Sequence, residues 1–182
     1  MKKSLFLIAF ACATLFSVKF YAQDYQGEVD FGYSLGVGKL PSDRFNVSTV
    51  HGFEIEDYLF LGVGAGLDYH FVEENIYADF GDDDHYYGGY FEKDRMGFLP
   101  VFFNIKGYIP LDDDFMPFLS LDLGYSFCLS DDGESGLYVT PSVGIRLFED
   151  FKIQVGYNLQ QMTERGMSLN MGAVQFKVGY LF

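Results

Sequence analysis

The sequence predicts an all-β chain that closes into an eight-stranded antiparallel up-and-down transmembrane β-barrel. Three observations predict it. Apolar residues recur with a period of two through the chain after residue 22. The composition sets 49% hydrophobic and 19% aromatic residues beside a net charge of −14, so apolar and charged groups must occupy different surfaces. The connections between the alternating segments are in turn short and long, as they are in a membrane-spanning meander.

The amino end is read apart from the barrel. Lys2 and Lys3 precede an apolar run from Leu5 to about Phe16, and Ala22 precedes Gln23. That is the basic, apolar and small-residue order of a secretory signal, so residues 1–22 are expected to be a signal peptide and residues 23–182 the barrel domain. The run is shorter than the roughly 20 apolar residues of a spanning helix. Cys12 lies inside the apolar run, a poor context for a lipoprotein signal, and beyond the signal only Cys128 remains. One thiol cannot form an internal disulfide, so hydrogen bonds and packing must hold the fold. Removing Lys2, Lys3 and Lys19 makes the remainder still more acidic, which excludes nucleic acid as a partner, because phosphate binding needs a basic face.

The first strand sets Val29, Phe31, Tyr33, Leu35 and Val37 against Asp30, Gly32, Ser34, Gly36 and Gly38. The third sets Leu59, Leu61, Val63, Ala65, Leu67, Tyr69 and Phe71 against Phe60, three glycines, Asp68 and His70. The fifth (119–128), sixth (137–147), seventh (151–160) and eighth (174–182) repeat the pattern, whereas the second (about 45–55) and fourth (about 96–109) fit it less cleanly. About 10 residues per strand is the length a tilted transmembrane strand needs. Segments 56–57, 111–114 and 149–150 read as short turns, and 39–44, 73–94, 129–136 and 162–170 as longer loops. A soluble barrel turns its apolar row inward and presents a polar exterior. Here the second row is rich in glycine with scattered charges, a poor exterior but a good filling for a narrow lumen, and its glycines let the sheet curl tightly.

These alternating strands, the segment TVHGFEIEDYLFLGVGAGLDYHF and the ending VQFKVGYLF resemble the small outer-membrane β-barrel domains, including the transmembrane part of outer-membrane protein A, over about residues 26–182. The resemblance implies residence in the cell outer membrane, lipid as the surrounding partner, a monomer, and no cofactor or metal. It also implies that Phe176, Val178, Tyr180 and Phe182 form the terminal signal read by the barrel-assembly machinery. The chain has no tryptophan, so tyrosine and phenylalanine must supply any interfacial girdle.

On this assignment of faces the lumen holds Glu28, Asp30, Glu54, Asp68 and Asp122 against Lys106, Arg146, Lys152 and Lys177. Buried charges should pair, since an isolated one costs several kcal/mol. Lys177 is expected near Asp30, and Arg146 or Lys106 near Asp122. An eight-stranded barrel is only wide enough for side chains to fill, so a plugged, non-conducting lumen is expected rather than a pore.

Some eight-stranded barrels resembling this one are lipid-modifying hydrolases built on a serine, a histidine and a carboxylate. His51 lies near Ser48, Thr49 and Glu54 but in no recognised nucleophile and base spacing, so the reading is not an enzyme. By parity His51 faces lipid, where polar groups are costly, which suggests a bulge near Gly52 or an inverted face. Loop 73–94 holds Glu73, Glu74, Asp79, Asp82, Asp83, Asp84, Glu92 and Asp94 among aromatics such as Tyr77, Tyr86 and Tyr87. Its acids miss the calcium-loop spacing and read as a solvated surface, while its aromatics suit an unknown surface partner. A lipid-modifying barrel enzyme and a soluble lipocalin-like ligand binder are the competing readings.

Overall fold

The computed structural model describes residues 23–37, 42–71, 78–79, 88–89, 96–111, 114–129, 135–148, 150–164 and 167–182. Eight long strands follow one another: β1 (Gln23–Val37), β2 (Asp43–Ile55), β3 (Leu59–Phe71), β4 (Met96–Tyr108), β5 (Phe115–Cys128), β6 (Gly136–Leu147), β7 (Phe151–Glu164) and β8 (Met167–Leu181). Each pairs antiparallel with its chain neighbour, and β1 pairs with β8, so the sheet closes on itself with no edge left. A two-residue ribbon, Ala78–Asp79 against Gly88–Gly89, stands between β3 and β4. Residues 1–22, expected to be a signal peptide, lie outside the described residues, as does most of segment 73–94.

The faces are those the alternation predicts. Leu61, Ile153 and Val155 are 42%, 51% and 38% exposed, while their chain neighbours Phe60, Lys152 and Gln154 are buried. Large apolar side chains form the outside on every strand, whereas most of the buried side chains are polar or charged. A soluble lipocalin-like barrel has the opposite arrangement, so that reading is overturned. Water could not cover so continuous an apolar surface, and hydrocarbon can.

The strands are longer than the alternation alone suggests. β1 begins at Gln23, and β7 and β8 meet at Glu164 and Met167, so most of the segment expected to be a loop at 162–170 is hairpin. The blurred pattern of β4 has a physical cause: Phe98, Phe102 and Tyr108 sit on its inner row and disguise the alternation. In β2 it is Thr49 and His51 that interrupt the outer apolar row.

At one end the chain turns tightly. Glu56 and Asp57 both have positive φ (50° and 58°), and Tyr58 N–H donates to the Ile55 carbonyl at 3.2 Å. That is a type I′ turn, whose twist matches the flanking strands. Phe148 also has positive φ (51°) in the β6–β7 turn. At the same end Gly27 and Phe182 exchange backbone hydrogen bonds of 2.7 and 2.9 Å, completing the seam past the last residue of β8. The longer connections leave from the opposite end.

Candidate functional site: the barrel interior

The inward side chains form tie bars across the lumen. Glu28 on β1 is fully buried and accepts from Lys106 on β4 through one oxygen and from Lys152 on β7 through the other. One carboxylate therefore joins three walls. Lys152 also lies 3.1 Å from Asp30. Charge-assisted bonds of this kind satisfy both ammonium groups where water does not reach.

The expected neighbours, Lys177 with Asp30 and Lys106 with Asp122, do feel one another's charge, but the close ion pairs among the described residues are others. Asp30 opposes Gly179 on β8, and Lys152 opposes the same glycine from the other side. Because Gly179 has no side chain, Lys152 reaches across β8 to Asp30; a Cβ there would collide with both of them. Lys177 instead lies over Gly32 and extends to Asp122 on the far wall at 3.9 Å. Asp122 also accepts from Asn104 Nδ2. Arg146 pairs with Glu54 at 3.0 Å near the turn end, and Lys106 is taken by Glu28. Asp68 accepts from Asn46 Nδ2 at 2.7 Å.

Aromatic rings fill the space between the tie bars. Phe60, Phe102, Phe118, Tyr108 and Tyr138 form one buried cluster with Val50. The Lys106 ammonium lies 4.8 Å from the Phe60 ring centre and 5.3 Å from that of Phe118, so cation–π attraction supplements its bond to Glu28.

Toward the loop end lies a cluster the alternation does not single out. Arg44 is fully buried and donates from NH2 to Asn158 and from NH1 to Gln160 Oε1 at 3.2 Å, a link from β2 to β7. The turn chemistry of segment 39–44 reads as loop and hides Arg44, whereas its parity with Asn46 and Ser48 is the signal that places it inside. Beside it, Ser42 Oγ is 3.0 Å from His70 Nδ1. This is a serine and histidine in contact, but both are buried, and the Arg44 guanidinium stands 3.5 Å from His70 Nε2. A serine nucleophile requires an imidazolium during its reaction, and a guanidinium at that distance is a hostile neighbour for one.

His51 faces outward, with no bulge: its register to Gly27 and Val63 is continuous. Three hydrogen bonds make that tolerable. Thr49 Oγ1 donates to the Glu28 carbonyl at 2.9 Å, so it accepts from His51 Nε2–H at 3.0 Å. The other nitrogen, Nδ1, then accepts from the Tyr25 hydroxyl at 2.7 Å. This chain of bonds leaves no ring nitrogen of His51 unpaired. Phe176, Val178, Tyr180 and Phe182 all point outward on or just beyond β8.

Among solved structures, neisserial surface protein A matches with a TM-score of 0.60 at 10% identity, over 88% of this chain and 98% of that one. This is the fold of the small eight-stranded outer-membrane barrels. Two others of that type match more loosely. The N-terminal barrel domain of Pseudomonas aeruginosa OprF matches at 0.48 and 12% identity over 88% of this chain and 100% of that one. Yersinia pestis Ail matches at 0.46 and 13% identity, over 87% and 100%. No family model and no curated protein matches. The small outer-membrane barrels share this chain's closed, eight-stranded meander, and its apolar exterior is what residence in that membrane requires.

Proposed function

We propose that this protein is a non-enzymatic barrel of the cell outer membrane whose lumen is plugged, and that its contacts with the outside are made by its loops. The observation that carries the plug is Glu28 joining Lys106 and Lys152 across the interior, with aromatic rings packed around them. Permeant ions would have to break bonds among desolvated charges to pass. In this reading the turn end faces the periplasm and loop 73–94, with its acids and tyrosines, faces outward toward an unknown surface partner. Residues 1–22 are removed on export, and Phe176, Val178, Tyr180 and Phe182 are read by the barrel-assembly machinery. The protein works as a monomer in lipid, without cofactor or metal.

Purified protein in planar bilayers should give no stable large conductance; steady open channels would overturn the plug. Deleting residues 76–92 should abolish surface contact by cells while leaving the heat-modifiable gel mobility of the folded barrel. Retention of contact by that deletion would move the function elsewhere. Mass analysis of lipid A with and without the protein should show no difference.

A further inference from the structure

The seam between β1 and β8 is where the sheet closes on itself, and a glycine stands beside it on each face. On the inner face Gly179 of β8 lies opposite Asp30 on one side and Lys152 on the other, and Lys152 passes over it from β7 to meet Asp30 on β1. The outer face repeats the arrangement one strand further on. Gly27 of β1 lies opposite His51 of β2, and on its other side it exchanges backbone hydrogen bonds with Phe182. The Phe182 ring lies over Gly27, where a Cβ would stand 2.6 Å from it, and meets the His51 ring edge to face with centroids 6.2 Å apart.

Each of these side chains therefore skips a strand, and both cross the closing seam. Lys152 holds it from inside with an ion pair, and Phe182 holds it from outside with a ring contact. The seat of that ring is itself fixed, because His51 is bonded to Tyr25 of β1 and Thr49 of β2. Tyr180 stacks on Phe182 with planes 18° apart, and Leu181 N–H donates to the Asp150 carbonyl at 2.6 Å. Residues 180–182 are thus tied to β1, β2 and the turn before β7. A seam held on one face alone can hinge open toward the other, and opened strand edges are templates for a strand of another chain.

We propose that Phe182 is a latch: its ring, seated on Gly27 against His51, locks the turn end of the β1–β8 seam and so withholds both strand edges from pairing with an extended segment of another protein. The latch acts in the closed barrel and is independent of the assembly role proposed for the same residue. Protein refolded into lipid vesicles, where no assembly machinery is present, tests it alone.

Amide hydrogen exchange resolved by residue in such a preparation reads the latch, because local opening exposes the seam amides while the rest of the barrel stays folded. Phe182→Ala should speed exchange at positions 27 and 181 at least about tenfold, the worth of one good aromatic contact, and leave Asn104 and Leu121 on β4 and β5 unchanged. Gly27→Ala, which puts a methyl group where the ring lies, should have the same effect with the ring still present. The double variant should exchange no faster than Phe182→Ala alone, since Gly27 matters only as the seat. Val178→Ala, on the same outer row but opposite Phe31, should leave positions 27 and 181 unchanged. Should Phe182→Ala fail to fold, Gly27→Ala still decides. Unchanged exchange in the single variants, an additive double variant, an equal rise in Val178→Ala, or a rise spread over all strands overturns the latch.

Discussion

At Thr49 and His51 the outer row of β2 exchanges apolar side chains for polar ones, and the structure shows how that is sustained in hydrocarbon. Each polar atom is consumed by a neighbour, from Tyr25 through His51 and Thr49 to the Glu28 carbonyl. Thr49→Val should therefore destabilise the barrel by about 1–3 kcal/mol, because it leaves the His51 Nε2–H unpaired. Reversible urea unfolding in lipid vesicles measures this, and an unchanged midpoint would refute the donor chain. Glu28 carries more. Replacing it with Gln leaves Lys106 and Lys152 buried without their shared anion, and a loss of about 3–5 kcal/mol is expected in the same assay. Adding Lys106→Met to Glu28→Gln should recover part of that loss, since one of the two stranded charges is then gone. If the double variant is no more stable than the single one, the shared-anion account fails.

At the scale of the strand, glycine decides which partners can meet. Gly179 is the gap through which Lys152 reaches Asp30, and Gly64 makes room for the Phe102 ring, which a Cβ would approach to 2.6 Å. Gly179→Ala should break the Asp30–Lys152 pair and lower stability more than an alanine placed on the outer row of β8. A matched pair of unfolding curves checks it. The turn after β2 holds two non-glycine residues at positive φ, a conformation that costs L-residues about 1–2 kcal/mol each. Asp57→Gly should return about 1 kcal/mol by removing that strain. Differential scanning calorimetry would show the shift, and a lower transition temperature would mean the Asp57 side chain does more for the turn than its strain costs.

For the molecule as a whole, closure is the property on which everything else rests, because β1 and β8 pair along ten register positions from Glu28 to Val37 and leave no open edge in the bilayer. The strand count, the order of the meander, the outward row and the inward residence of the paired charges were all legible in the chain. The reason is that a strand has a period of two, and a sheet facing lipid on one side must write that period into its residues. The blurred places were those where an inner aromatic such as Phe102 or an outer polar residue such as His51 broke the rhythm for a reason found only in three dimensions. The partners of the lumen charges were likewise decided by the tertiary structure. Which lysine meets which carboxylate depends on stagger, on gaps such as Gly179, and on which walls of a closed tube lie opposite one another. Parity says that Lys177 and Asp30 share an interior, but only the curvature of the barrel sends one to Asp122 and the other to Lys152.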